Sequence, residues 1–137
     1  MKKLLLIAAV SSCVLATSAM ALNTYCPNAN DPQSIKKVDG KFEGTSPGGV
    51  LFVQKFGFTN DQKIGAFNSS ANYLPVYHNT YGEIACNYAN ATLWLVKPAH
   101  ATINNANKAW FDTGSHTSMC VNSDSFTCQF TVDQPAK

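Results

Sequence analysis

Glu83-Ile84-Ala85-Cys86-Asn87-Tyr88, followed after a short link by Thr92-Leu93-Trp94-Leu95-Val96, is the stretch on which the fold turns. Side chains of an extended chain point to opposite faces in turn, so Ile84, Cys86 and Tyr88 share one face. In the second run Leu93 and Leu95 lie on one side and Trp94 and Val96 on the other. Two alternating runs this close predict an antiparallel hairpin, which Pro98 ends because it cannot donate to a ladder.

Outward from this hairpin the chain continues to read as strands. Upstream, Ile35-Lys36-Lys37-Val38 and Lys41-Phe42-Glu43 flank Asp39-Gly40, a dipeptide that tolerates the positive φ angles of a tight turn. Val50-Leu51-Phe52-Val53 opens an apolar segment reaching Phe58, which would place Phe52, Phe56 and Phe58 on one face of a strand. Residues 64 to 71 fit either a strand or one or two helical turns. Tyr73-Leu74-Pro75-Val76-Tyr77 is extended but broken by Pro75. Downstream, residues 99 to 108 are small and polar and read as a long loop or a short helix. Residues 126 to 132 alternate again, with Phe126, Cys128 and Phe130 on one face. The class is mainly β, a small antiparallel sandwich or barrel.

Residues 1–21 stand apart. Lys2 and Lys3 precede an apolar run, and Ala19-Met20-Ala21 supplies a small-residue exit. This is the layout of a secretory signal peptide. Val10-Ser11-Ser12-Cys13 loosely matches a lipoprotein cleavage site, but the apolar stretch continues past Cys13, so Cys13 is read as leaving with the signal. Cleavage after Ala21 leaves residues 22–137 as a single domain, secreted or periplasmic, with no transmembrane segment. Export to an oxidising compartment allows Cys26, Cys86, Cys120 and Cys128 to form disulfides. Four cysteines permit three pairings. Cys120 and Cys128 enclose a short segment containing Asn122, Ser123 and Asp124, so this pair closes first and would staple a hairpin end. Cys26 with Cys86 would then tie the N-terminus to a central strand. Zinc is disfavoured because no close Cys pair and no paired His exist, and no Cys-x-x-Cys supports redox work. Neither metal nor cofactor is expected.

Export also changes the charge. The whole chain carries a formal +2. Losing Lys2 and Lys3 leaves eight Lys against eight Asp plus Glu, with no Arg. Nucleic-acid binding needs clustered basic residues to displace counterions, and only Lys36-Lys37 forms a basic pair. The absence of Arg removes the bidentate grip on carboxylate or phosphate. The expected ligand is neutral and held by aromatic and amide groups, or is a protein surface.

Two strings imitate catalytic motifs. Gly44-Thr45-Ser46-Pro47-Gly48 fits the Gly-x-Ser-x-Gly of serine hydrolases. That elbow needs an N–H from the residue after Ser, and a helix next. Pro47 has no N–H, and a strand is expected to follow. Trp110-Phe111-Asp112-Thr113-Gly114-Ser115 resembles the active-site string of aspartic proteases, whose two carboxylates must share a proton. One late copy per chain is read as an ordinary turn. His78, His100 and His116 have no acid at ligand spacing, and Glu43 and Glu83 are the only glutamates for paired-carboxylate chemistry. No catalytic residue is assigned.

Aromatics among amides remain: Tyr73, Tyr77, Tyr81, Trp94 and Trp110. Sugar- and protein-binding surfaces both use aromatics flanked by such groups, although most aromatics of a small β domain build its core. Tyr77-His78-Asn79-Thr80-Tyr81-Gly82 reads as an exposed loop. Tyr77, His78, Asn79, Tyr81, Trp110 and His116 are the ligand-contact candidates.

The layout as a whole resembles an uncharacterised family of small exported bacterial proteins, a domain of unknown function. The carrying residues are Cys26-Pro27, residues 35 to 40, Phe67, Gly82 with Cys86-Asn87-Tyr88, and Cys120 with Cys128-x-Phe130. The resemblance implies export and a disulfide-linked β fold, without a reaction or a ligand. The expectation is therefore an exported non-enzymatic β domain that binds a protein or glycan through loops. The alternatives are a small secreted hydrolase or a structural envelope protein.

Overall fold

The computed structural model describes residues 21–73, 83–96 and 100–133. They form antiparallel strands in two sheets: β1 (Ala21–Thr24), β2 (Ile35–Val38), β3 (Lys41–Ser46), β4 (Val50–Val53), β5 (Phe67–Tyr73), β6 (Glu83–Tyr88), β7 (Ala91–Leu95), β8 (His100–Ile103), β9 (Phe111–Gly114), β10 (Thr117–Val121) and β11 (Phe130–Asp133). The larger sheet has eight strands in the order β2-β3-β4-β7-β6-β5-β10-β9, and the smaller has three, β1-β11-β8. No helix of the described residues is long and apolar enough to cross a membrane.

Local chemistry sets the hairpins. Asp39 and Gly40 take φ of 51° and 78°, the left-handed pair that lets β2 and β3 keep their twist through a two-residue turn. Between β6 and β7 the turn is Ala89-Asn90, and Tyr88 faces Ala91. At the β9–β10 tip, Ser115 and His116 adopt φ of 53° and 61°.

The sheets meet as a sandwich around one core. The larger sheet contributes Phe42, Phe52, Ile84 and Leu93, and the smaller contributes Ala101, Phe130 and Val132. Phe52 and Phe130 meet edge to face across the gap, with centroids 6.1 Å apart. The Tyr88 hydroxyl donates to the Pro27 carbonyl at 2.6 Å inside this core.

Both disulfides form as Cys26–Cys86 and Cys120–Cys128. The second does not staple a hairpin. Cys120 lies in β10 of the larger sheet, while Cys128 lies two residues before β11 of the smaller. Cys26 lies two residues after β1, whose Thr24 pairs with Phe130 of β11. On the larger sheet, Ser70 of β5 pairs with both Cys86 and Cys120. The bridges therefore leave one register row of the larger sheet and reach one end of the smaller. Buried Ser70 occupies the row between them.

Three expectations are corrected. The strand beginning at Val50 stops at Val53, because Gln54 turns inward: its Oε1 accepts from Phe42 N and its Nε2 donates to Phe56 O, both at 3.0 Å. Phe56 and Phe58 consequently leave the sheet. Residues 100–103 form strand β8 rather than loop or helix, held by the β11 ladder and by burial of Ala101. Phe126 sits in a 3-10 turn, Ser125–Thr127, where Asp124 accepts from Phe126 N. It points outward onto Tyr25 and not with buried Cys128 and Phe130. The ambiguous residues 64 to 71 resolve as the start of β5 at Phe67.

Candidate functional site: an aromatic groove on the outer face

One register row crosses the outer face of the larger sheet: Val53, Trp94, Ala85, Ala71, Met119 and Phe111, on β4, β7, β6, β5, β10 and β9. Ala85 and Ala71 carry no bulk, and this leaves room above them. The rings of Trp94 and Tyr73 fill it, stacked with centroids 5.4 Å apart and planes 29° apart. Both alanines are buried although they face away from the core, as expected beneath a cover of rings.

The segment after β4 supplies a wall. Phe56 stands edge-on to Trp94, with centroids 6.5 Å apart. Phe56 and Phe58 are 75% and 79% exposed, with Gly57 between them at a φ of 75°. Lys41 Nζ lies 5.0 Å from the Phe58 ring, and Lys55 Nζ lies 5.0 Å from the Trp94 ring. Lys55 also pairs with Glu83 at 3.7 Å. These contacts are partly exposed and each contributes modestly.

The floor continues into polar groups. Thr92 Oγ1 donates to Asn87 Oδ1 at 3.0 Å, Asn87 Nδ2 donates to Ser69 Oγ at 3.1 Å, and Ser69 Oγ donates to Asn68 Oδ1 at 2.9 Å. Each donor orients the next. Among the described residues, two capacities at the groove have no partner: the second Asn87 N–H and the lone pairs of Thr92 Oγ1. The groove, open to solvent on its outer side, offers a space of about 390 Å³. The loop beyond Phe58 is pinned. Lys37 Nζ donates to Thr59 O and Asp61 O at 2.7 and 2.8 Å. Asn90 accepts from Gly65 N and donates to Asp61 Oδ2 and Lys63 O.

The sequence candidates fare unevenly. Tyr77, His78, Asn79 and Tyr81 lie outside the described residues. Trp110 is a core residue: it is 3% exposed and its Nε1 donates to Gln129 O at 2.8 Å. The candidate assignment of Trp110 is therefore corrected. His116 is exposed at the β9–β10 tip. Asp112 Oδ1 accepts from Gly114 N at 2.7 Å, which makes Asp-Thr-Gly a local turn device. Ser46 is buried, bonded to Thr24 Oγ1 and Val50 O, and followed by β4. Among the described residues no group of three or more His, Cys, Asp or Glu is placed to hold a metal.

Phe56 and Phe58 were missed because an apolar run reads as strand until an inward Gln ends it. Trp94 and Tyr73 stood in the aromatic set but not among the contact candidates, although the alternation of β7 already set Trp94 opposite Leu93 and Leu95. Compared with family models, curated proteins and solved structures, the chain matches none.

Proposed function

We propose that residues 22–137 form an exported, non-enzymatic binding domain that takes a protein or glycan ligand on the outer aromatic groove. The observation that carries this reading is the exposure of Phe56 and Phe58 beside the Trp94–Tyr73 stack. Leaving a Phe side chain in water forgoes about 1.5–3 kcal/mol of burial. A fold that already has a closed core gains nothing from that exposure, whereas a ligand that covers the rings does. The hydrolase alternative is weakened by the commitment of Ser46 and Asp112 to internal hydrogen bonds. Export is supported by the pattern of residues 1–21 and by two disulfides that brace the sandwich.

The test uses oxidised residues 22–137 passed over immobilised glycans and envelope proteins, with a hydrolase substrate panel in parallel. Retention that disappears in Phe56→Ser/Phe58→Ser but persists in His116→Ala supports the reading. Turnover that survives the double substitution sinks it. Export is checked separately by fusing residues 1–25 to a reporter active only outside the cytoplasm.

A further inference from the structure

We infer that the ligand of the outer groove is an uncharged saccharide, a choice that rests on the binding-domain reading above. Three properties of the groove select it. The first is shape. A space of about 390 Å³ falls at the lower end of small-ligand pockets, roughly 300–1,000 Å³. It suits one or two sugar rings better than the broad apolar patch of a protein partner.

The second is the division of chemistry within the groove. A pyranose ring has an apolar C–H face and a rim of hydroxyls. The exposed ring surfaces of Phe56 and Tyr73, set against half-buried Trp94, offer an apolar bed for the first. The second Asn87 N–H and the Thr92 lone pairs offer one donor and one acceptor for the second. Both are held in place by the Thr92–Asn87–Ser69 chain before any ligand arrives, so binding need not order them.

The third is charge. Lys55, the cation over the floor, already faces Glu83, and the chain has no Arg. Among the described residues, an anionic sugar or phosphate would have to compete with Glu83 for Lys55, and Lys41 at the wall is turned to the Phe58 ring and to Lys55 O. A lipid surface would find Lys41 and Lys55 beside the exposed Phe pair but would leave the Asn87 and Thr92 capacities without partners.

The experiment titrates oxidised, isotope-labelled residues 22–137 with cellohexaose, xylohexaose, mannohexaose, maltohexaose and chitohexaose. Trigalacturonate and phosphatidylcholine–phosphatidylglycerol vesicles are the charged and lipid probes. The readouts are the Trp94 indole and Asn87 side-chain amide resonances. The expected result is that at least one neutral series shifts both signals and that added salt leaves the affinity unchanged. Phe56→Ala/Phe58→Ala should weaken binding about tenfold, and Thr92→Val should weaken it while the thermal midpoint holds. Should Trp94→Ala misfold, these exposed variants still decide the matter.

Absence of shifts with every neutral series overturns the inference, as does binding confined to trigalacturonate or to vesicles. If a protein ligand is retained through Phe56 and Phe58 while no saccharide binds, the saccharide assignment falls and the binding domain stands. If neither binds, both fall.

Discussion

On the inner face of the larger sheet, Phe42, Phe52, Ile84 and Leu93 are sealed under the smaller sheet and two disulfides. On the outer face, Leu51, Tyr73 and Phe111 remain open to solvent, and half-buried Trp94 anchors a groove. Both faces are rich in apolar groups, but only one is covered by the chain itself. Apolar content alone therefore does not mark the core. What marks it is cover, and here the cover is held by the two bridges.

Removing that cover has the largest expected effect. Chain-entropy arithmetic gives about 4 kcal/mol for Cys26→Ala/Cys86→Ala and about 2.5 kcal/mol for Cys120→Ala/Cys128→Ala. Urea unfolding of each double variant measures both. Equal and negligible losses would mean that the sheets hold together without the bridges.

Neighbouring residues of β3 sharpen the contrast. Gly44 faces inward, where an added Cβ would sit 2.8 Å from Pro27 Cγ and 3.1 Å from Leu93 Cδ1. Gly44→Ala should cost about 2 kcal/mol by overpacking. Thr45 faces outward and is exposed, so Thr45→Ala should stay within about 0.5 kcal/mol. Comparable losses at the two positions would erase the distinction between the faces.

Tyr88 adds a pH signature of the inner face. Burial pushes its phenol well above the ordinary value, and the hydroxyl must keep its proton to donate to Pro27 O. In the unfolded chain the phenol ionises near pH 10. Above that pH the folded state binds the extra proton, so stability falls as pH rises. Tyr88→Phe should cost about 1–2 kcal/mol at neutral pH and remove this part of the alkaline loss. An unchanged alkaline slope in Tyr88→Phe would contradict the assignment.

Legibility in the sequence followed the range of the interaction. Asp39-Gly40 announced β2 and β3 because the turn chemistry is local. The alternation of residues 83–96 announced β6 and β7, and the short span between Cys120 and Cys128 announced their pairing. The smaller sheet was not legible as a unit. Its strands come from both ends of the described chain and from residues 100–103, and a run as plain as His-Ala-Thr-Ile becomes a strand only beside β11. The hairpin role of Cys120–Cys128 failed for the same reason, since β10 pairs with β5 and β9 and not with β11.

The groove was half legible. Parity set Trp94 apart from the core side of β7, and Tyr73 stood in the aromatic set. Their approach across β6 depends on the small Ala85 and Ala71, a register fact no local window contains. Trp110 misled because a buried Trp and a binding Trp look alike until the indole N–H finds its partner, here Gln129.

The smallest expected change in stability carries the most weight. Phe56→Ser/Phe58→Ser removes two exposed rings, so its urea stability should lie within about 0.5 kcal/mol of the parent. The decisive measurement is ligand retention by this folded double variant. Retention should be lost while stability holds. Retention equal to that of the parent protein would contradict it, because the outer aromatic face would then serve neither the fold nor the ligand.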